Sequence, residues 1–154
     1  MDTAIFESFE NGCIEKLPGE INAILQQADG KKPCAIGFIT IDDLYGFYLS
    51  WEYTDNIREY FQWRNGAYPD FLYQPIVDIV DSNDIDLCNP SDEKWDFVKA
   101  LLSTLERVIK GLPDDVFSKN GFSREDVIFF ATMSDGDYVS QMLDESVNMF
   151  NSQG

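Results

Sequence analysis

Apolar residues recur at helical spacing over residues 3–28: Ile5, Phe6 and Phe9, then Ile21, Ile24, Leu25 and Ala28. That spacing gathers them on one side of an α-helix. Asn11-Gly12 and Pro18-Gly19 interrupt it, and a proline suits the first turn of a helix better than its middle. The expectation is one helix broken at Pro18, or two short ones. Asp29-Gly30-Lys31-Lys32-Pro33 reads as a turn. Residues 34–41 and 45–51 are β-rich runs on either side of the acidic turn Asp42-Asp43, the pattern of an antiparallel hairpin. Thr54 can cap a helix through residue 63, which brings Ile57, Tyr60, Phe61 and Arg64 onto neighbouring faces.

Residues 65–90 are irregular, punctuated by Pro69, Pro75 and Pro90, with a short helix around 76–80. Ser91 opens the clearest helix. Trp95, Val98, Leu102, Leu105 and Ile109 repeat at three- and four-residue steps, and Leu101 and Val108 widen the stripe. Glu106 and Lys110 form an i,i+4 pair, and Gly111 and Pro113 end the helix. Residues 127–132, Val-Ile-Phe-Phe-Ala-Thr, have the profile of a central strand. A last helix runs over about 138–150. The order predicts a single α+β domain over residues 1–154. Its small, mainly antiparallel sheet combines the hairpin of residues 34–52 with the strand 127–132, and helices pack on it.

Charge changes the picture. The chain has 28 Asp and Glu against 11 Lys and Arg, no histidine, and a net charge of -17. Solubility of a small domain needs roughly 2–8 units. Such a surface repels nucleic acid and anionic membranes and attracts basic protein. The lack of histidine removes the commonest general base and metal ligand. A binding protein with a basic target fits better than an enzyme. With 12 Phe, 7 Tyr and 3 Trp the chain is no disordered acidic tail. No apolar run of about 18 residues exists to span a membrane. The N-terminal residues lack the basic and apolar regions of a signal peptide. Cys13, Cys34 and Cys88 form no CxxC pair and read as buried, reduced thiols of a cytoplasmic protein.

The densest acidic stretch is Asp78, Asp81, Asp84, Asp86, Asp92, Glu93 and Asp96, opposed only by Lys94. Like charges within a Debye length of about 8 Å repel one another. A solvated loop is the plain reading, with Asp92 and Glu93 serving the helix N-terminus. Capping accounts for only two of the seven, so the cluster reads as a surface for Lys and Arg of a partner. The segment from Trp51 to Tyr73 is rich in aromatics, and Tyr60, Trp63 and Tyr68 are candidate interface anchors beside the alternative that they are core. Asp42 and Asp43 are further candidates. Asp84-Ile85-Asp86 and Asp135-Gly136-Asp137 lack the glycine or closing glutamate of a calcium loop, so no metal and no cofactor is assigned. No GxSxG, P-loop or GxGxxG motif nominates a catalyst. Without a basic groove, stacking of single-stranded nucleic acid on the aromatics is not expected.

The hairpin CAIGFITIDDLYGFYLSW, the helix begun by Thr54, FQWRNGAYPDF, WDFVKALLSTLERVIKGL, SREDVIFFATMSDGD and the closing SVNMFN follow one another in an order that resembles domain-of-unknown-function family 4303. That is a group of small acidic α+β bacterial proteins. The resemblance covers nearly the whole chain, although the family's first helix is uninterrupted where this chain has Pro18-Gly19. It implies no chemistry. By analogy with small acidic proteins encoded beside toxin genes in polymorphic toxin and contact-dependent inhibition loci, it implies an immunity protein. Such a protein would bind a toxin domain, a nuclease by the charge argument above, and not nucleic acid or membrane. The rival readings are an acidic adaptor for another basic protein and a small carboxylate-dependent enzyme.

Overall fold

The structure, a computed structural model, describes residues 3–58, 65–87, 90–136 and 138–151. A 3-10 turn, Thr3–Phe6, leads into one long helix, α1 (Glu7–Ala28), with Pro18 inside it. The expected break at Pro18 is absent. Proline in a helix interior costs about 3 kcal/mol. Against that, Phe9, Cys13, Leu17, Ile21, Ile24, Leu25 and Ala28 form one buried stripe running past it on both sides. Each large apolar side chain buried contributes about 1.5–3 kcal/mol, so the stripe outweighs the proline. Asp29 closes the helix in the left-handed region at φ 50°.

Four strands form the sheet, in the order β3-β2-β1-β4. β1 (Cys34–Thr40) and β2 (Tyr48–Glu52) are the antiparallel hairpin, joined by a loop over residues 41–47. β3 (Asn65–Ala67) pairs antiparallel with β2, and β4 (Val127–Met133) lies parallel to β1. The parallel pair follows from the helices between them, since a parallel partner needs a long crossover. Those helices are α2 (Gln74–Asn83), α3 (Asp92–Lys110) and the short α4 (Asp115–Ser118). The last helix, α5 (Val139–Asn151), follows β4. The fold is α+β with a mostly antiparallel sheet. Among the described residues, no helix is long and apolar enough to cross a membrane.

Strand alternation gives the sheet two apolar faces. Ile36, Phe38, Leu49, Trp51 and Phe129 join the main core with α1 and α3. Ala35, Ile39 and Phe130 belong to a second, smaller cluster with Ile57. Here Gly37 is required: a Cβ on it would lie 2.5 Å from Cζ of Phe130, whose ring covers it.

β4 is an edge strand, and α5 seals its outer side. The Asn151 side chain accepts from the Phe129 amide (2.9 Å) and donates to the Phe129 carbonyl (2.7 Å). The buried Ser146 hydroxyl accepts from the Ala131 amide (2.8 Å) and donates to the Ala131 carbonyl (3.0 Å). Two polar side chains thereby replace the missing neighbouring strand, one way proteins protect a sheet edge.

At the start of α3, Ser91 caps as expected, its hydroxyl accepting from the Lys94 amide at 3.1 Å. Thr54 acts differently. Its hydroxyl accepts from the Asn56 amide at 3.0 Å, and residues 54–58 are irregular, with a bend at 55 and a turn at 57–58. The rest of the helix expected there, with Tyr60, Phe61, Trp63 and Arg64, lies outside the described residues.

Candidate functional site

The acidic stretch spans three consecutive elements. Asp78 and Asp81 stand on α2, Asp84 closes that helix at φ 48°, Asp86 follows in the loop, and Asp92, Glu93 and Asp96 begin α3. All seven side chains are exposed. Some have local partners: Gln74 donates to Asp78 at 2.9 Å, and Lys99 pairs with Asp96 at 3.6 Å. Asp92 and Glu93 sit in the first turn of α3, where the helix dipole favours them.

Lys94, the cation expected to oppose this stretch, does not share its surface. Its side chain is wholly buried, and the ammonium lies 2.9 Å from Asp42. The Tyr138 ring lies beneath it at 5.6 Å. Gly136 packs so closely on Asp42 that a Cβ there would collide with the carboxylate. Asp42 is therefore drawn into an internal junction between the hairpin loop, α3 and the turn before α5, with its side chain one-third exposed. Its neighbour Asp43 is exposed.

A second feature lies on the hairpin side. Tyr68 is 78% exposed, yet its ring stacks on Tyr48 with centroids 5.1 Å apart. The pair borders a cleft of about 350 Å³ that also meets Ile41, Tyr45, Asp70 and Tyr73. Its walls are fixed by backbone. The Phe47 amide donates to the Leu72 carbonyl at 2.8 Å. Gly46, at φ +91°, comes so close that a Cβ would stand 2.6 Å from Cα of Tyr73. Burial, and then Tyr68, push the Tyr48 phenol above its ordinary pKa, so it stays protonated.

Tyr68, a candidate anchor, is exposed at the border of the cleft. Tyr60 and Trp63 lie outside the described residues, as do Cys88 and Asp137. Tyr45 and Tyr48, read only as strand residues, join the site because the hairpin loop folds back on residues 68–73. The visible signal was the density of tyrosine on both segments, 45–48 and 68–73.

Among the described residues, no group of three or more Cys, Asp or Glu is placed to hold a metal ion. Cys13 and Cys34 are buried free thiols. Burial, aided by Glu10 and Glu52 respectively, pushes both up to about 12, which keeps them from acting as nucleophiles. Comparison of the chain with protein-family models, with curated proteins and with solved structures finds no match.

Proposed function

We propose that this protein binds a basic protein domain, and that it serves as an immunity protein neutralising a nuclease toxin of a contact-dependent growth inhibition or related system. The observation that carries the reading is the run of seven exposed acids from α2 into α3, whose one intervening lysine is turned into the interior. A nuclease is basic where it holds its polyanionic substrate. An acidic surface can occupy that region, and opposite charge accelerates encounter. Inhibition would be steric, with carboxylates meeting Lys and Arg. The toxin narrows this to one kind of basic partner, on the strength of the family resemblance alone.

The gene immediately upstream should encode a toxin domain, and the test is co-expression of the two. Wild-type protein should protect cells, and Asp81, Asp84 and Asp86 changed together to Lys should not. Folding of the triple variant is checked by its melting curve. Association with the purified domain should slow as salt rises. Salt-dependent binding of a basic protein that is no toxin would favour the adaptor reading. An acidic partner, or an on-rate indifferent to salt, would end both.

A further inference from the structure

We propose that the tyrosine cleft receives an arginine side chain of the basic partner, stacked against Tyr68 and paired with Asp70. This deepens the reading above and rests on it for the partner's charge. The cleft is lined by Tyr45, Tyr48, Tyr68, Tyr73 and Asp70, and by no Lys or Arg. Elsewhere the protein supplies cations to its own rings: Lys31 over Tyr53, Lys32 over Phe122, Lys94 over Tyr138 and Arg124 over Phe117. Among the described residues, the four tyrosines of the cleft receive none.

The chemistry selects a guanidinium. Ring faces carry negative potential and attract a cation within about 6 Å of the centroid. Arg is planar, so it can stack on a tyrosine while its edge donates to a carboxylate. A Lys ammonium is a compact, strongly hydrated point charge and gains less from a flat, half-open wall. Tyr68 and Tyr73 are 78% and 50% exposed, and Ile41 is 44% exposed, so the outer wall is a contiguous wet apolar surface beside Asp70. Tyrosine and arginine dominate interface hot spots. The Gly46 approach and the Phe47–Leu72 hydrogen bond hold the walls before any partner arrives, which lowers the ordering cost of binding.

The experiment titrates isotope-labelled protein with a capped hexa-arginine peptide and, in parallel, with capped hexa-citrulline, which has nearly the same shape without the charge. Hexa-arginine should shift the backbone amides of Gly46, Tyr48, Tyr68 and Tyr73. Hexa-citrulline should bind at least tenfold more weakly. Tyr68→Ser, with its melting curve compared with wild type, should weaken hexa-arginine about fivefold, and Asp70→Asn should weaken it similarly. Equal binding of the two peptides would overturn the guanidinium assignment. Shifts confined to residues 78–96, with Tyr68→Ser silent, would overturn the cleft and leave the basic-partner reading standing. Absence of hexa-arginine binding even at low salt would overturn both.

Discussion

The ammonium of Lys94 lies 2.9 Å from the carboxylate of Asp42, across 52 residues of sequence. The two ends of this contact differ: the lysine side chain is fully buried, while the aspartate is one-third exposed. Taking a charge out of water costs several kcal/mol unless a counter-charge meets it. Asp42 therefore serves the interior, although it neighbours a residue that serves the surface.

Asp42→Ala should destabilise the protein by on the order of 3 kcal/mol, because it removes a counter-charge from a buried cation. Asp43→Ala should change stability by no more than about 0.5 kcal/mol. Urea unfolding of the two variants makes the comparison directly, and equal midpoints would refute the internal role of Asp42.

The seal on β4 predicts a loss of both stability and solubility. Ser146→Ala leaves the Ala131 amide and carbonyl without their side-chain partner, and Asn151→Leu does the same at Phe129. Each should cost about 1–3 kcal/mol, the penalty of an unsatisfied buried polar group. The double variant should also associate in a concentration-dependent manner, as an opened edge strand does. Sedimentation velocity reads the association, and a strictly monomeric double variant would contradict it.

Gly37→Ala should destabilise by about 1–3 kcal/mol through overpacking against the Phe130 ring. Adding Phe130→Leu should recover part of that loss, because the added methyl then meets a smaller neighbour. A double-mutant cycle in denaturant measures the coupling. Simple additivity would show that the two side chains do not compete for the same space.

Alkaline pH should weaken the fold through the buried thiols. Folded Cys13 and Cys34 hold their protons up to about 12, against an ordinary value of 9.0. The unfolded chain releases them first, so their contribution is complete below about pH 9 and declines as pH rises towards 12. The slope is about 1.4 kcal/mol per pH unit for each thiol. Wild-type stability should therefore fall more steeply between pH 9 and pH 11 than that of Cys13→Ala/Cys34→Ala. Parallel slopes would show that the thiols titrate normally in the folded protein.

Local signals were readable wherever they acted locally. Ser91 with the stripe from Val98 to Ile109 specifies α3, and the uninterrupted apolar run of residues 127–132 specifies β4, because cap and periodicity lie within each element. Pro18 misleads for the opposite reason: its cost is local, while the burial that overrides it comes from the rest of the core. β3 carries almost no β signal of its own. Asn-Gly-Ala is a strand because β2 holds it there, with Ser50 donating to the Asn65 carbonyl and the Asn65 amide group donating to the Trp51 carbonyl. Lys94 was legible by phase. It stands four residues before Val98 and seven before Leu101, on the buried stripe, although its charge alone argues for a place among the surface acids. The cleft could not be read, since Tyr48 and Tyr68 meet only after the hairpin loop has folded back.

A sheet accepts a new strand only at an edge whose amides and carbonyls are accessible. α5 lying along β4 occupies that edge, and the strand at the other end of the sheet is β3. That strand runs straight into Tyr68 and Pro69, the lip of the cleft. An extended segment of a partner pairing with β3 would thus pass its side chains over the tyrosines, so that main-chain and side-chain recognition fall on the same few residues of the ligand.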